Sequence, residues 1–162
     1  MNRRRFLIST AGLISLTILG TRSMSEPLND NVSLQKISKT ETEWKEILTP
    51  PQYHILREEG TERSHTSPLN NEKREGTYVC AGCELPLFTS DMKFDSGTGW
   101  PSFFTTLPNR IETKLDFKLI YPRTEYHCAR CGGHQGHVFK DGPQPTGLRY
   151  CNNGLALNFI PA

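Results

Sequence analysis

The chain has 162 residues, with 19 Lys and Arg against 17 Asp and Glu, which is long enough for one domain with a real core. The basic excess belongs to one end: residues 1–24 hold Arg3, Arg4, Arg5 and Arg22 and no acid, leaving 15 basic and 17 acidic residues, a net charge of about −2 with histidine neutral. A body of that charge offers no basic patch for counterion-release binding, which excludes nucleic acid as a partner.

Arg3-Arg4-Arg5-Phe6-Leu7 is followed by an apolar run, dotted with Ser and Thr, to Gly20. A basic start and a short apolar stretch read as an export signal, too short for an ordinary transmembrane helix. Arg-Arg-x-Phe-Leu resembles the twin-arginine signal, which implies export, to the periplasm. No clean Ala-x-Ala cleavage site and no lipobox cysteine follow it. A membrane is therefore a partner only through an uncleaved signal, and a cytoplasmic location is the alternative if this is no signal. Residues 1–24 are read as the signal, 25–37 as a polar linker and 38–162 as the domain.

Helix signals come next. Thr40-x-x-Glu43 is a capping box, with Trp44, Ile47 and Leu48 at helical spacing. Thr49-Pro50-Pro51-Gln52 repeats the box with Pro at the first helical position, Tyr53 and Leu56 share a face, and the helix stops near Gly60. Residues 61–76 read as a loop over the surface. From Thr77 the pattern is β: short runs at Thr77–Val79, Leu115–Tyr121, His137–Lys140 and Leu155–Ile160, separated by Gly, Pro, Asn and Asp. Asp141-Gly142-Pro143 is a turn. The expectation is a mainly β domain of short antiparallel strands behind two short helices.

Cys80-Ala81-Gly82-Cys83 and Cys128-Ala129-Arg130-Cys131 are two copies of Cys-x-x-Cys, each with a tyrosine two residues upstream, Tyr78 and Tyr126. That spacing lets two thiolates of one tight turn bind the same tetrahedral zinc. Two disulfides or two redox pairs are the other readings; a single structural Zn2+ on four cysteines is favoured. Zinc consumes four of the five thiols and leaves Cys151 alone. In a continuous strand Arg149, Cys151 and Asn153 share one face, which runs on as Leu155, Leu157 and Phe159. A thiol beside an arginine is where a thiolate can be stabilised. A buried structural cysteine is the alternative.

Two further stretches are costly unless used. Phe94-Asp95-Ser96-Gly97-Thr98-Gly99-Trp100-Pro101-Ser102-Phe103 is a rigid loop that can present an aromatic ring as a pocket wall, although Trp100 and Phe103 also suit a core. In Gly133-His134-Gln135-Gly136-His137 the glycines argue against a helix, and on a regular strand the two histidines point opposite ways. A bend or bulge is needed for both to face one site, as proton donors or hydrogen-bond partners more than as metal ligands.

From about Thr40 to Pro161 the chain resembles the peptide-methionine (R)-S-oxide reductases, the B-type methionine sulfoxide reductase family. The resemblance is carried by Leu48-Thr49-Pro50 with Gln52-Tyr53, Tyr78–Cys83, Phe94–Gly97 with Gly99–Phe103, and Cys128–Cys131. His134 with Gly136–Phe139, Asp141–Pro143, Pro145–Gly147 and Arg149–Asn152 complete it, in family order. It implies a β-tent of two antiparallel sheets and a structural zinc remote from the active site. It implies Cys151 as nucleophile, His134 and His137 as proton donors to the sulfoxide oxygen, Trp100 against the substrate's methyl group and Asn153 in orientation. Arg149 and Asp141 match positions near the site. Oxidised proteins carrying methionine-R-sulfoxide are the implied substrates, with a thioredoxin-like protein or another thiol as reductant.

One departure matters. Many members carry, between the two glycines before the Trp, a cysteine that resolves the sulfenic acid; here it is Thr98. A one-cysteine cycle is therefore expected, with an external thiol reducing Cys151 directly. Two other classes stay open: a zinc-ribbon binding module without catalysis, and an exported disulfide-stapled interaction domain. Neither needs Cys151 or the glycine-framed Trp and His stretches.

Overall fold

The computed structural model of the protein describes residues 34–118 and 121–162. The stretch read as an export signal and most of the stretch read as a linker lie outside the described residues. Among the described residues no helix is long and apolar enough to cross a membrane.

Both capping boxes form. The Thr40 hydroxyl accepts from Glu43 N–H and the Glu43 carboxylate accepts from Thr40 N–H at the start of α1 (Glu41–Ile47). Thr49 and Gln52 do the same for α2 (Pro50–Glu58), whose prolines sit where N–H groups lack helical partners anyway. Trp44, Leu48, Ile55 and Leu56 are buried, whereas Ile47 is 54% exposed. The second helix ends on Glu59 rather than Gly60: Glu59 takes the left-handed conformation (φ 55°), and Gly60 N–H returns to His54 O at 3.0 Å.

Among the described residues nine strands form two antiparallel sheets. The first holds β1 (Gly76–Cys80), β2 (Pro86–Thr89) and β9 (Leu157–Pro161) in the order β2-β1-β9. The second holds β3 (Lys93–Phe94), β4 (Ser102–Phe103), β5 (Ile111–Asp116), β6 (Arg123–Cys128), β7 (His134–Phe139) and β8 (Arg149–Asn152), in the order β3-β4-β8-β7-β6-β5. The fold is thus mainly β, two antiparallel sheets with few short helices, as the sequence predicts. The core lies between the sheets. Phe88 stacks on Phe103 at 4.0 Å and 8°, Tyr78 meets Phe103 edge-on at 5.0 Å, and Phe88 meets Tyr126 at 6.4 Å.

Two expected strands differ. The predicted run Leu115–Tyr121 spans a turn: β5 stops at Asp116, whose carboxylate accepts the Lys118 N–H at 2.8 Å, and β6 begins only at Arg123. Leu115, Phe117 and Tyr121 are 64%, 71% and 78% exposed, so the β propensity of these three residues has no burial to support it. The continuous row from Arg149 to Phe159 is likewise interrupted. Gly154–Ala156 form a 3₁₀ turn that carries the chain from the six-stranded sheet to the three-stranded one. The Glu62 carboxylate accepts from Gly154 N–H (2.6 Å) and Leu155 N–H (2.9 Å), fixing that turn. Gly154 is required there, because a Cβ would lie 1.9 Å from Ser67 Oγ.

Candidate active site

β8 runs between β4 and β7, so Cys151 stands opposite Ser102 on one side and His137 on the other. The strands approach closely because Gly136 has no side chain: a Cβ there would meet the Cys151 carbonyl oxygen at 1.9 Å. Beside Cys151 opens a cavity of about 120 Å³, walled by Trp100, Arg123, His137, Phe139 and Asn153. A larger groove of about 550 Å³ runs past Ser67, Leu155 and Phe159 and contains none of the predicted site residues.

Trp100 and Phe103 divide the two roles the sequence left open. Phe103 is fully buried core, and Trp100 is a cavity wall. Hydroxyls brace the loop that carries the ring: Ser96 Oγ lies 2.8 Å from both Thr98 Oγ1 and Ser102 Oγ, and Ser102 donates to Trp100 O at 3.1 Å. Gly97 and Gly99 take φ of 70° and 89°, a region β-carbon residues rarely adopt. The indole N–H donates to Glu62 O at 3.1 Å. Glu62 N–H in turn donates to Asn153 Oδ1 at 3.0 Å, and Asn153 Nδ2 donates to Gln135 O at 3.0 Å. One loop residue thus ties the tryptophan to the asparagine.

The histidines meet because β7 is bulged. Along β6 the partner of Tyr126 is Gly136 and that of His127 is His134, so Gln135 is an extra residue in β7. The imidazole rings come within 5.5 Å of each other. His137 Nε2 lies 2.8 Å from Asp116 Oδ2, and His134 Nδ1 lies 2.7 Å from Glu125 Oε1. His137 walls the cavity, whereas His134 is buried behind it, 2% exposed. Burial holds His134 down to about 4 and His137 below its ordinary value, so both are neutral at pH 7. Each then donates its N–H to its carboxylate partner and keeps the other nitrogen as acceptor.

Arg149 is buried, and its guanidinium grips Asp141 with two bonds of 2.9 and 2.8 Å while lying 4.3 Å over the Phe139 ring. Its charge and the Thr98 hydroxyl favour the Cys151 thiolate, but burial outweighs them and the thiol is pushed above its ordinary value. The Tyr126 hydroxyl donates to Asn152 Oδ1 at 2.5 Å, beneath the cysteine's strand.

The four remaining cysteines lie at the far ends of β1 and β6, with all sulfurs within 4.8 Å of one another. Cys80 and Cys131 are 3.7 Å apart and Cys83 and Cys128 3.5 Å, close to the ~3.8 Å edge of a tetrahedron with Zn–S of about 2.3 Å. The two turns are copies. Cys80 N–H donates to Leu85 O and Glu84 N–H to Cys80 O; Cys128 N–H donates to Gly133 O and Gly132 N–H to Cys128 O. The residue after each pair is left-handed, Glu84 at 59° and Gly132 at 69°. Neighbouring sulfurs hold Cys128 well below the thiol range and push Cys80 well above it. The donor set therefore fits a metal ion of zinc's size and softness.

A family model, the SelR domain, matches residues 48–161. The chain is 54% identical over 127 residues to a peptide methionine sulfoxide reductase MsrB of Agrobacterium fabrum, covering 78% of this chain and 94% of the relative. This chain belongs to the MsrB family. It is also 52% identical over 124 residues to an MsrB of Methanosarcina barkeri, covering 76% of this chain and 87% of that one. To the chloroplastic peptide methionine sulfoxide reductase B1 of Arabidopsis thaliana it is 50% identical over 149 residues, 89% of this chain and 73% of that one.

Within this MsrB-family chain, sequence reading missed Glu62, Asp116 and Arg123. Asp116 and Arg123 pair across β5 and β6, and Arg123 Nη2 donates to Asp116 Oδ2 at 2.6 Å. No spacing signals them: a loop glutamate and a strand-end ion pair are common, and only the fold brings Arg123 to the cavity, Asp116 to His137 and Glu62 to Asn153.

Proposed function

We propose that the chain reduces methionine-R-sulfoxide, free or protein-bound, to methionine through a sulfenic acid on Cys151, and so repairs oxidised proteins. Membership of the MsrB family makes it a peptide methionine sulfoxide reductase; the stereochemistry and the intermediate are our finer reading. One observation carries it: the single cysteine outside the four-sulfur cluster opens onto a small cavity walled by an indole ring. Trp100 and Phe139 suit a thioether methyl group there.

In this reading the Cys151 sulfur attacks the sulfoxide sulfur. The free ring nitrogen of His137, opposite Cys151, takes the thiol proton, and the resulting imidazolium passes it to the sulfoxide oxygen. His134 supports His137 from behind. The S–O bond on the substrate and the transient bond between the two sulfurs break as the oxygen passes to Cys151, leaving a sulfenic acid and releasing methionine. Two thiols of a thioredoxin-like protein or a small reductant then return Cys151 to the thiol, giving a disulfide and water. Asn153, fixed between Glu62 and Gln135, orients the cavity wall. Arg149 and Asp141 set the local field at Cys151. Cys80, Cys83, Cys128 and Cys131 hold one Zn2+, which ties β1 to β6 and supplies no reaction step. The signal reading extends this to an exported, periplasmic enzyme that draws electrons on the same side; fractionation checks it, and a full-length cytoplasmic protein contradicts it.

The test uses separate R and S epimers of a methionine sulfoxide peptide with dithiothreitol, comparing wild type with Cys151→Ser. Turnover of the R epimer alone, lost in the variant, is expected. No turnover by folded, zinc-loaded protein would move the assignment to a zinc-ribbon binding module.

A further inference from the structure

In the reading above the charge that builds on the sulfoxide oxygen is met only by the mobile proton on His137. As the Cys151 sulfur attacks, electrons from the S–O bond gather on the sulfoxide oxygen, and in a small cavity that charge needs a fixed partner. Both histidines start neutral, and each has its N–H committed to a carboxylate, His137 to Asp116 and His134 to Glu125. Arg149 spends two donors on Asp141 and does not wall the cavity.

Arg123 does wall it. It is anchored on one side by Asp116, the residue that also holds His137, so the guanidinium and the imidazole share one carboxylate oxygen. Its Nε is buried and has no partner among the described residues. An unpaired buried N–H of a cation is costly and is found where something else supplies the acceptor. A guanidinium offers five N–H donors in a fixed fork and no acceptor.

We propose that Arg123 is a further catalytic residue, donating to the sulfoxide oxygen of the bound substrate and holding the negative charge that builds there. This rests on the reductase reading. The step balances without any other group. Thiol plus sulfoxide gives sulfenic acid plus thioether: two electrons pass to the methionine sulfur, its oxygen moves to the Cys151 sulfur, and the thiol proton ends on that oxygen. Arg123 neither gains nor loses a proton.

The experiment is single-turnover reduction of a blocked methionine-R-sulfoxide amide, which has no carboxylate for an arginine to bind. It is run beside iodoacetamide alkylation of Cys151 at the same pH. Alkylation needs the thiolate and its proton acceptor but has no sulfoxide oxygen. In Arg123→Gln, reduction falls by about 100-fold or more, alkylation stays within about twofold, and KM changes little. Arg123→Lys, which keeps the Asp116 pair, falls at least about tenfold in reduction with alkylation unchanged, and decides the matter if the Gln variant does not fold. The proposal is overturned if reduction is unchanged, or if reduction and alkylation fall together, since Arg123 would then act on the cysteine or the fold. Failure of the wild type itself to reduce the amide would instead sink the reductase reading.

Discussion

Glu62 and Asn153 are 91 residues apart and joined directly: the Glu62 N–H donates to Asn153 Oδ1 at 3.0 Å. The same residue accepts the Trp100 indole N–H on its carbonyl and two turn N–H groups on its carboxylate. Glu62 is only 8% exposed. Glu62→Ala strands two N–H groups and should cost about 2–3 kcal/mol, roughly 4–12 °C in melting temperature for a domain this size. Glu62→Gln keeps an acceptor and loses less. Calorimetry, with kcat/KM on the R-sulfoxide peptide, checks both; an unchanged melting temperature in Glu62→Ala would contradict the clasp.

At the metal end, Glu84 occupies the position that Gly132 fills in the second turn, with the same left-handed backbone. A side chain there is strained by about 1–2 kcal/mol, partly regained through the stiffer unfolded chain. Glu84→Gly should therefore stabilise the protein by about 0.5–1 kcal/mol, read by denaturant melts of metal-loaded protein.

Removal of one sulfur acts the other way. Cys83→Ser leaves three thiolates at the cluster. Zinc per chain, measured by emission spectroscopy, should drop from one to well below one. The melting temperature should drop with it, because metal binding free energy is folding free energy. The loss extends to the active site by a short path: Gln135 Nε2 donates to Cys80 Sγ at 3.4 Å, and Gln135 O holds Asn153.

Cys151 sets the pH dependence. Burial raises its thiol above the ordinary value of 9.0, so alkylation should climb about tenfold per pH from 7 and keep rising past 9. Arg149 opposes burial by favouring the anion. Its loss disfavours the thiolate, raises the thiol further and slows alkylation at pH 8. In Arg149→Met the expected slowing is about three- to tenfold. A faster reaction would show that the arginine does not act through its charge.

The helices and the four-sulfur cluster were legible because their signals are local. A capping box or a Cys-x-x-Cys turn is written within four residues, and its hydrogen bonds close within six. The Trp and His stretches were legible as costly backbone, and the bulge that two histidines at i and i+3 demanded is Gln135 in β7. Strand ends were less so. Leu115, Phe117 and Tyr121 have no burial to support a strand, and the Asp116 carboxylate, where β5 stops, accepts Lys118 N–H. The row from Arg149 to Phe159 failed at Gly154 because a glutamate 92 residues away captures its N–H. Glu62 reaches Asn153, Asp116 reaches His137 and Arg123 reaches the cavity by juxtaposition alone, which no single stretch of chain records.

The most direct test of the account is one turnover of reduced, zinc-loaded protein with the R-sulfoxide peptide and no reductant, followed by mass spectrometry. Cys151 is expected to be one oxygen atom heavier and trapped by a sulfenic-acid reagent. One methionine should form per chain, and the other four cysteines should remain thiols on zinc. An intramolecular disulfide between Cys151 and any of Cys80, Cys83, Cys128 or Cys131 would contradict both the one-cysteine cycle and the structural role of the cluster.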